Sequence, residues 1–481
     1  MTFSPRNRGG FVPDRPRGKA FARTASVLVV CAFVAILLQV YLSWLAPTYG
    51  YLGFTLNPEG YAGLWLSLPV LLITAAILPT TLEKFSDFFM WMLYFFLFTP
   101  VLTFMPLQWL PDSNIWLSLG GITISFHLMN FISRYDLFRF NPNVSSGAIK
   151  KTEFFVIFSV LYGACLVYML VVFGGNLRVV TDFGADVYKQ RAVGGELSAG
   201  SLVGYASGIF SGALNPFLLA IGLTERRKLL IVIGFVGMLL AYATAAIKGV
   251  LISAVLIPAF YISFIRHKVI FSYRLGLIIL ISCIIPWILL FYVGEIQKGV
   301  TSQIVALVFM RAYGIAGIMT GIYADFFVNN PHTYYSHINL VSVLIPYPYR
   351  ASIGEVIAAT AMGLPEMNAN ASFWATDGFA AAGIPGVILM GGIIGLLLSF
   401  ANAVLASANP RIAFLASLPF VMYISNSSFI SSVLTGGGGL LVLLIYLWQK
   451  TEPPRVRDRS RAASRGGHGK FVDGRASRPA P

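Results

Sequence analysis

The chain returns again and again to one pattern, a run of about 20 apolar residues. Such a run spans the ~30 Å hydrocarbon layer of a bilayer as an α-helix rising 1.5 Å per residue. Twelve runs fit: Thr24–Ala46, Ala62–Leu78, Ser86–Met105, Asn114–Ser133, Phe154–Phe173 and Ser201–Leu223, then Leu229–Ile247, Gly249–Ile265, Leu275–Val293, Ile384–Ala406, Ile412–Ser428 and Val433–Trp448. With 57% hydrophobic and 11% charged residues, a soluble domain is excluded, because such domains carry about 25% charged residues. The expected fold is an all-α polytopic integral membrane protein. Thr24–Ala46 exceeds a signal-peptide core and eleven runs follow it, so it is expected to remain as an anchor.

The formal net charge of +15 from 34 Lys and Arg against 19 Asp and Glu raises the question of an acidic partner. Its distribution answers that. With twelve spans both tails share one side, and that side holds 27 basic residues against 7 on the other. Basic loops stay cytoplasmic. The tails are therefore expected in the cytoplasm, and the charge reports orientation. Residues 1–23 and 449–481 are rich in Arg, Pro, Gly and Ser, and read as disordered basic tails flanking a membrane domain over 24–448. They carry no aromatic-basic interleaving of a nucleic-acid binder, so membrane lipid, and no nucleic acid, is their expected partner. Cys31, Cys165 and Cys283 all fall inside spans and read as packing residues.

Ile304–Tyr323 is apolar enough to be a further span, with Arg311 near its middle. An added span would move the basic C-terminal tail outside. The segment is therefore expected to lie in, or dip into, the outer interface. The alternative is a true span balanced by another near Val356–Leu364.

Two outer loops are long, 174–200 and 294–383. The second is aromatic and rich in Asn, Asp and Gly, the side chains that stack on and hydrogen-bond to sugars. Tyr and Trp of an interfacial belt are the competing reading. Lys248 separates two apolar runs. The 37 residues from Leu229 to Ile265 give ~55 Å of helix, barely two crossings. The Lys248 tip then lies at or below the membrane surface, where a cation faces a cavity or snorkels to headgroups. Arg311 is the one charge in its apolar helix. Both suit a phosphate or diphosphate, with Arg191 and Arg178 as further candidates. Gly436–Gly439 opens the last run and reads as close backbone packing.

No GxxxxGK[ST] phosphate loop, HExxH or Cys-rich site, or Asp-x-Asp pair is present, so no metal, nucleotide or other cofactor is expected. Two histidines, His332 and His337, fall in the larger loop at a spacing poor for a metal.

The layout and three stretches resemble the Wzy-type O-antigen, or oligosaccharide repeat-unit, polymerases. The stretches are ATAAIKGVLISAV around Lys248, MRAYGIAGIMTGIYADFFVNNPHTYYSH from Met310, and NANASFWATDGFAAAGIPG from Asn368. The resemblance implies a GT-C-like architecture of about twelve spans with a large, partly helical periplasmic loop. It also implies residence in a bacterial inner membrane, and polymerisation of undecaprenyl-diphosphate-linked repeat units without metal or nucleotide. A chain-length-determinant protein would be a further partner. Lys248 and Arg311, with Arg191 and Arg178, would bind the diphosphate. Chemistry alone nominates Asp325, His332 and Asp377 as catalytic bases, and Asn368, Asn370 and Trp374 as sugar contacts. The rival readings are an O-antigen ligase acting on lipid A core, and a polysaccharide transporter or lipid flippase.

Overall fold

The computed structural model describes residues 16–138, 149–180, 185–198, 202–265, 270–292, 300–370, 373–425 and 427–451. Residues 1–15 and 452–481, read above as tails, lie outside the described residues, as do Arg139, Asp182, Arg266, Lys268 and Lys298. The described part of the N-terminal tail departs from expectation. Residues 16–23 are helical and continue into the first span, because Pro16–Val40 is one helix.

The described residues are all helix and connection, with a single isolated bridge between Thr81 and Phe271. Ten helices are long and apolar enough to cross a membrane, so this is a multi-pass membrane protein by helix length and hydropathy. Nine of them match expected spans. Three further apolar helices are Lys248–Ile265 and the shorter Pro410–Ile424 and Gly438–Lys450. At 15 residues, Pro410–Ile424 covers only ~22 Å.

Phe85–Leu107 is the central post, with its apolar window wholly buried. Its aromatic rings fix its neighbours: Phe95 meets Phe33 at 5.3 Å, Phe96 stacks on Tyr313 at 5.3 Å, and Phe98 stacks on Phe126 at 4.4 Å. Offset and edge-on contacts of this kind add to simple burial.

The tenth long helix is Thr301–Asn329, which contains the segment expected at the interface. It does not lie on the surface. Tyr313 packs between Phe33 and Phe96, both in the middle of their spans. Further along, Gly317 and Gly321 abut Phe104 and Gln108, and Asp325 reaches the 108–114 connection. Gly at those contacts lets the helix approach closely. Apolar residues all round its buried length make it a core helix rather than an amphipathic surface one.

The expected span Ile384–Ala406 also starts differently. Helix Trp374–Val404 breaks at Ala382 (φ −160°, ψ 29°) and Gly383 (φ 64°, ψ −144°). The second half runs beside Ile115–Arg134: Ile384 abuts Gly121, and the Val387 carbonyl accepts from Ser125 Oγ. The first half folds back on it. A Cβ at Gly378 would strike the backbone of Val387 and Gly386, and Trp374 packs beside Phe126. Ser125 is ten residues into its span, so the hairpin penetrates about 15 Å along it. The glycine run at 436–439 packs closely as expected, with the Gly436 carbonyl against Gly212 and Gly438 against Phe420.

Candidate functional site

Three cations from three separate segments meet around one cavity of about 550 Å³: Arg191, Lys248 and Arg311. No Asp or Glu is among its described lining residues. Each cation arrives by a distinct local device.

Lys248 stands at a tight helical hairpin. Helix Lys228–Ala245 ends at Ala246, held left-handed at φ 48°, and the next helix starts at Lys248. The turn brings Lys248 to the cavity wall, which Pro419 and Met422 also line. Ser211, eight residues into the span Val203–Glu225, lines the same cavity, which therefore reaches about 12 Å along that helix.

Arg191 is brought in by the first long loop. Its helix Ala185–Ser198 docks on the Lys248 hairpin through Gln190, whose Nε2 donates to the carbonyls of Asn176 and Ala243 at 2.7 and 2.9 Å. Tyr242 Oη donates to the Val180 carbonyl at 2.7 Å, and Gly194 sits against the backbone of Thr244 and Ala245. Arg178 serves the same dock by its backbone, its N–H bonding the Ala243 carbonyl at 3.1 Å. It does not line the cavity.

Arg311 lies in a nine-residue π-helical stretch, Ala306–Gly314. Such bulges concentrate at functional sites, because the wider turn redirects side chains. The charges of Arg311 and Arg191 act on the Lys248 ammonium. This mutual repulsion favours binding of an anion.

Asn368 and Asn370 complete the wall. The Ala369 N–H donates to the Gly354 carbonyl at 2.9 Å, and a Cβ at Gly354 would collide with both asparagines. Helix Ile353–Thr360 is itself fixed by a capping box, in which the Ser352 N–H donates to Glu355 Oε2 at 3.1 Å. Sequence reasoning missed Ser198, Ser211, Tyr423 and Ser427, which also line the cavity. Met319, Met362, Met367 and Met422 form part of its apolar side.

The remaining candidates lie elsewhere. Asp325, His332, Asp377 and Trp374 do not line the cavity. Asp325 Oδ1 accepts the N–H groups of Asp112 and Ser113 at 2.9 and 2.7 Å, pinning the 108–114 connection. Trp374 is buried, with its ring 4.9 Å from that of Phe373. Asp377 is buried, and its Oδ1 lies 3.5 Å from Nε2 of His337. The ring of His332 stacks on Phe327 at 5.8 Å. His337 is buried as well, with a side-chain exposure of 8%.

Next to this His–Asp pair the backbone is strained. Tyr334 and Tyr335 are consecutive left-handed residues, at φ 48° and 66°. Each such residue costs about 1–3 kcal/mol, and such strain gathers where the surroundings over-determine the chain.

No protein-family model, curated protein or solved structure matches the chain. The functional reading therefore rests on the cavity.

Proposed function

We propose that the protein is a metal- and nucleotide-independent glycosyltransferase of the lipid-linked oligosaccharide polymerase type. It would act on undecaprenyl-diphosphate-linked repeat units at the periplasmic face of a bacterial inner membrane, with both termini cytoplasmic. The bond between the growing glycan and its lipid diphosphate breaks as a bond forms to a hydroxyl at the non-reducing end of a new lipid-linked unit, and the departing diphosphate takes up the hydroxyl proton.

The supporting observation is the convergence of Arg191, Lys248 and Arg311 on one cavity sunk among membrane helices. Its chemistry matches a lipid diphosphate. The cations hold the diphosphate and stabilise the charge that develops as it leaves. The methionine side suits an isoprenoid chain, and Asn368 and Asn370 offer amides to sugar hydroxyls. The role in the reaction is assigned to these five polar side chains, and Asp325, His332, Asp377, Trp374 and Arg178 are given none at the reacting atoms.

Deletion of the gene and gel analysis of surface polysaccharide test this reading. Loss of long chains, with core plus one repeat unit retained, is the expected result. Loss of every core-attached repeat would point to ligase instead, and unchanged polysaccharide would refute both.

A further inference from the structure

The segment 331–338 forms a strap across the break in helix Trp374–Val404. The Thr333 N–H donates to the Ala380 carbonyl at 2.8 Å, and the Tyr334 N–H to the Ala381 carbonyl at 3.0 Å. These bonds satisfy carbonyls that the broken helix leaves without partners. Tyr335 Oη crosses the break to the Gly386 carbonyl at 2.9 Å. The two left-handed tyrosines make these reaches possible by turning the chain twice in succession.

Underneath, Thr333 Oγ1 and His337 Nδ1 are 2.8 Å apart, and the same hydroxyl lies 3.0 Å from the Ala380 carbonyl. His337 Nε2 lies 3.5 Å from Asp377 Oδ1, and neither that nitrogen nor Asp377 Oδ2 has a hydrogen-bond partner. A carboxylate buried at this depth is costly unless a neighbour supplies a compensating charge. The Asp377 carboxylate acts on Tyr335, and the His337 imidazole lies 3.5 Å from it.

The strap joins two elements that supply the cavity. Through His332 it stacks on Phe327 of helix Thr301–Asn329, which carries Arg311. Through Asp377 it holds the half-helix that follows the Asn368–Asn370 arm. We infer that His337 and Asp377 form a buried lock that clamps the strap over the helix break and so positions Asn368 and Asn370 against the three cations. Both are positioning residues. The positioning half of this inference rests on the cavity being the substrate site.

The test uses the full chain in lipid nanodiscs, with His337→Gln, Asp377→Asn and the double variant. Hydrogen exchange of the Thr333 and Tyr334 amides reads the lock, and titration with geranyl diphosphate reads the cavity. Each single variant is expected to speed strap exchange at least tenfold and weaken geranyl diphosphate at least fivefold. The double variant should be no worse than the worse single, because one interaction is removed in all three. Tyr335→Phe removes only the hydroxyl that spans the break, so it serves if the other variants fail to fold. It should speed strap exchange without loss of protein. Unchanged exchange, or additive effects in the double variant, would overturn the lock. Faster exchange with unchanged affinity would overturn its positioning role. Failure of the unaltered protein to bind the probe would instead refute the cavity reading, and the exchange result would still decide the lock.

Discussion

At the scale of single residues, charge at depth carried more information than charge overall. Lys248 and Arg311 stood out in the sequence because each interrupts an apolar run, and both line the cavity. Replacing either with Ala should abolish polymer while protein level holds, since a charge-assisted contact is worth about 1.5–3 kcal/mol and the loss falls on the leaving group. Normal polymer from either variant would remove that residue from the site. Arg178→Ala should leave polymer intact, because the described role of Arg178 is its backbone bond to Ala243. Asp325 was nominated as a base by its type alone. Its partners, two backbone N–H groups over 200 positions away, are invisible to local pattern. Asp325→Ala should lower the melting temperature through about 1–3 kcal/mol of orphaned donors. Asp325→Asn keeps an acceptor oxygen and should lower it less. A selective loss of activity in a fully stable Asp325→Asn protein would argue for chemistry instead.

Among the elements, periodicity and run length located the spans well, since about 20 apolar residues have one cheap solution in a bilayer. The same ruler failed in two places. Ile304–Tyr323 was set at the interface because a further span would carry the basic C-terminal tail outside, yet Arg311 lines the cavity and the apolar remainder of the helix is buried. The half-helix before Gly383 was read as loop, because NANASFWATDG mixes polar and small residues whose partners are distant in sequence. Only contact with Val387 and the 331–338 strap explains why Gly stands at 378 and 383. Gly378→Val would place its side chain in the Val387 backbone. Overpacking of this kind costs about 1–3 kcal/mol or more, so a clear fall in thermal stability is expected, with loss of polymer. Gly383→Ala would meet only the His332 ring, in ordinary contact at 3.7 Å, but its backbone at φ 64°, ψ −144° belongs to a region open essentially to glycine, costing about 1–3 kcal/mol.

Over the whole molecule, the asymmetry of 27 basic residues against 7 was counted on twelve spans, and the buried helix Thr301–Asn329 reopens that count. Reporter fusions at residues 1 and 481 test the proposed orientation: activity of both only in their cytoplasmic forms supports it, and tails on opposite sides would show that Thr301–Asn329 is a full crossing. What no linear reading could supply was the meeting of positions 191, 248 and 311, because loops of different length converge only after the helices pack. The Lys248 hairpin, the docked 185–198 helix and the short helix Pro410–Ile424 together define that meeting.

The truncated helices have a consequence for the surrounding lipid. Gly438–Lys450 is 13 residues and keeps Leu443 exposed, so it presents ~20 Å of apolar length to a ~30 Å hydrocarbon layer. A bilayer answers such a mismatch by thinning at the protein's edge. Headgroups beside this helix would be drawn inward, toward the depth that the cavity reaches. Reconstitution into lipids of shorter acyl chain should therefore raise turnover relative to longer chains, whereas insensitivity to chain length would show that the annulus plays no part in delivering the lipid.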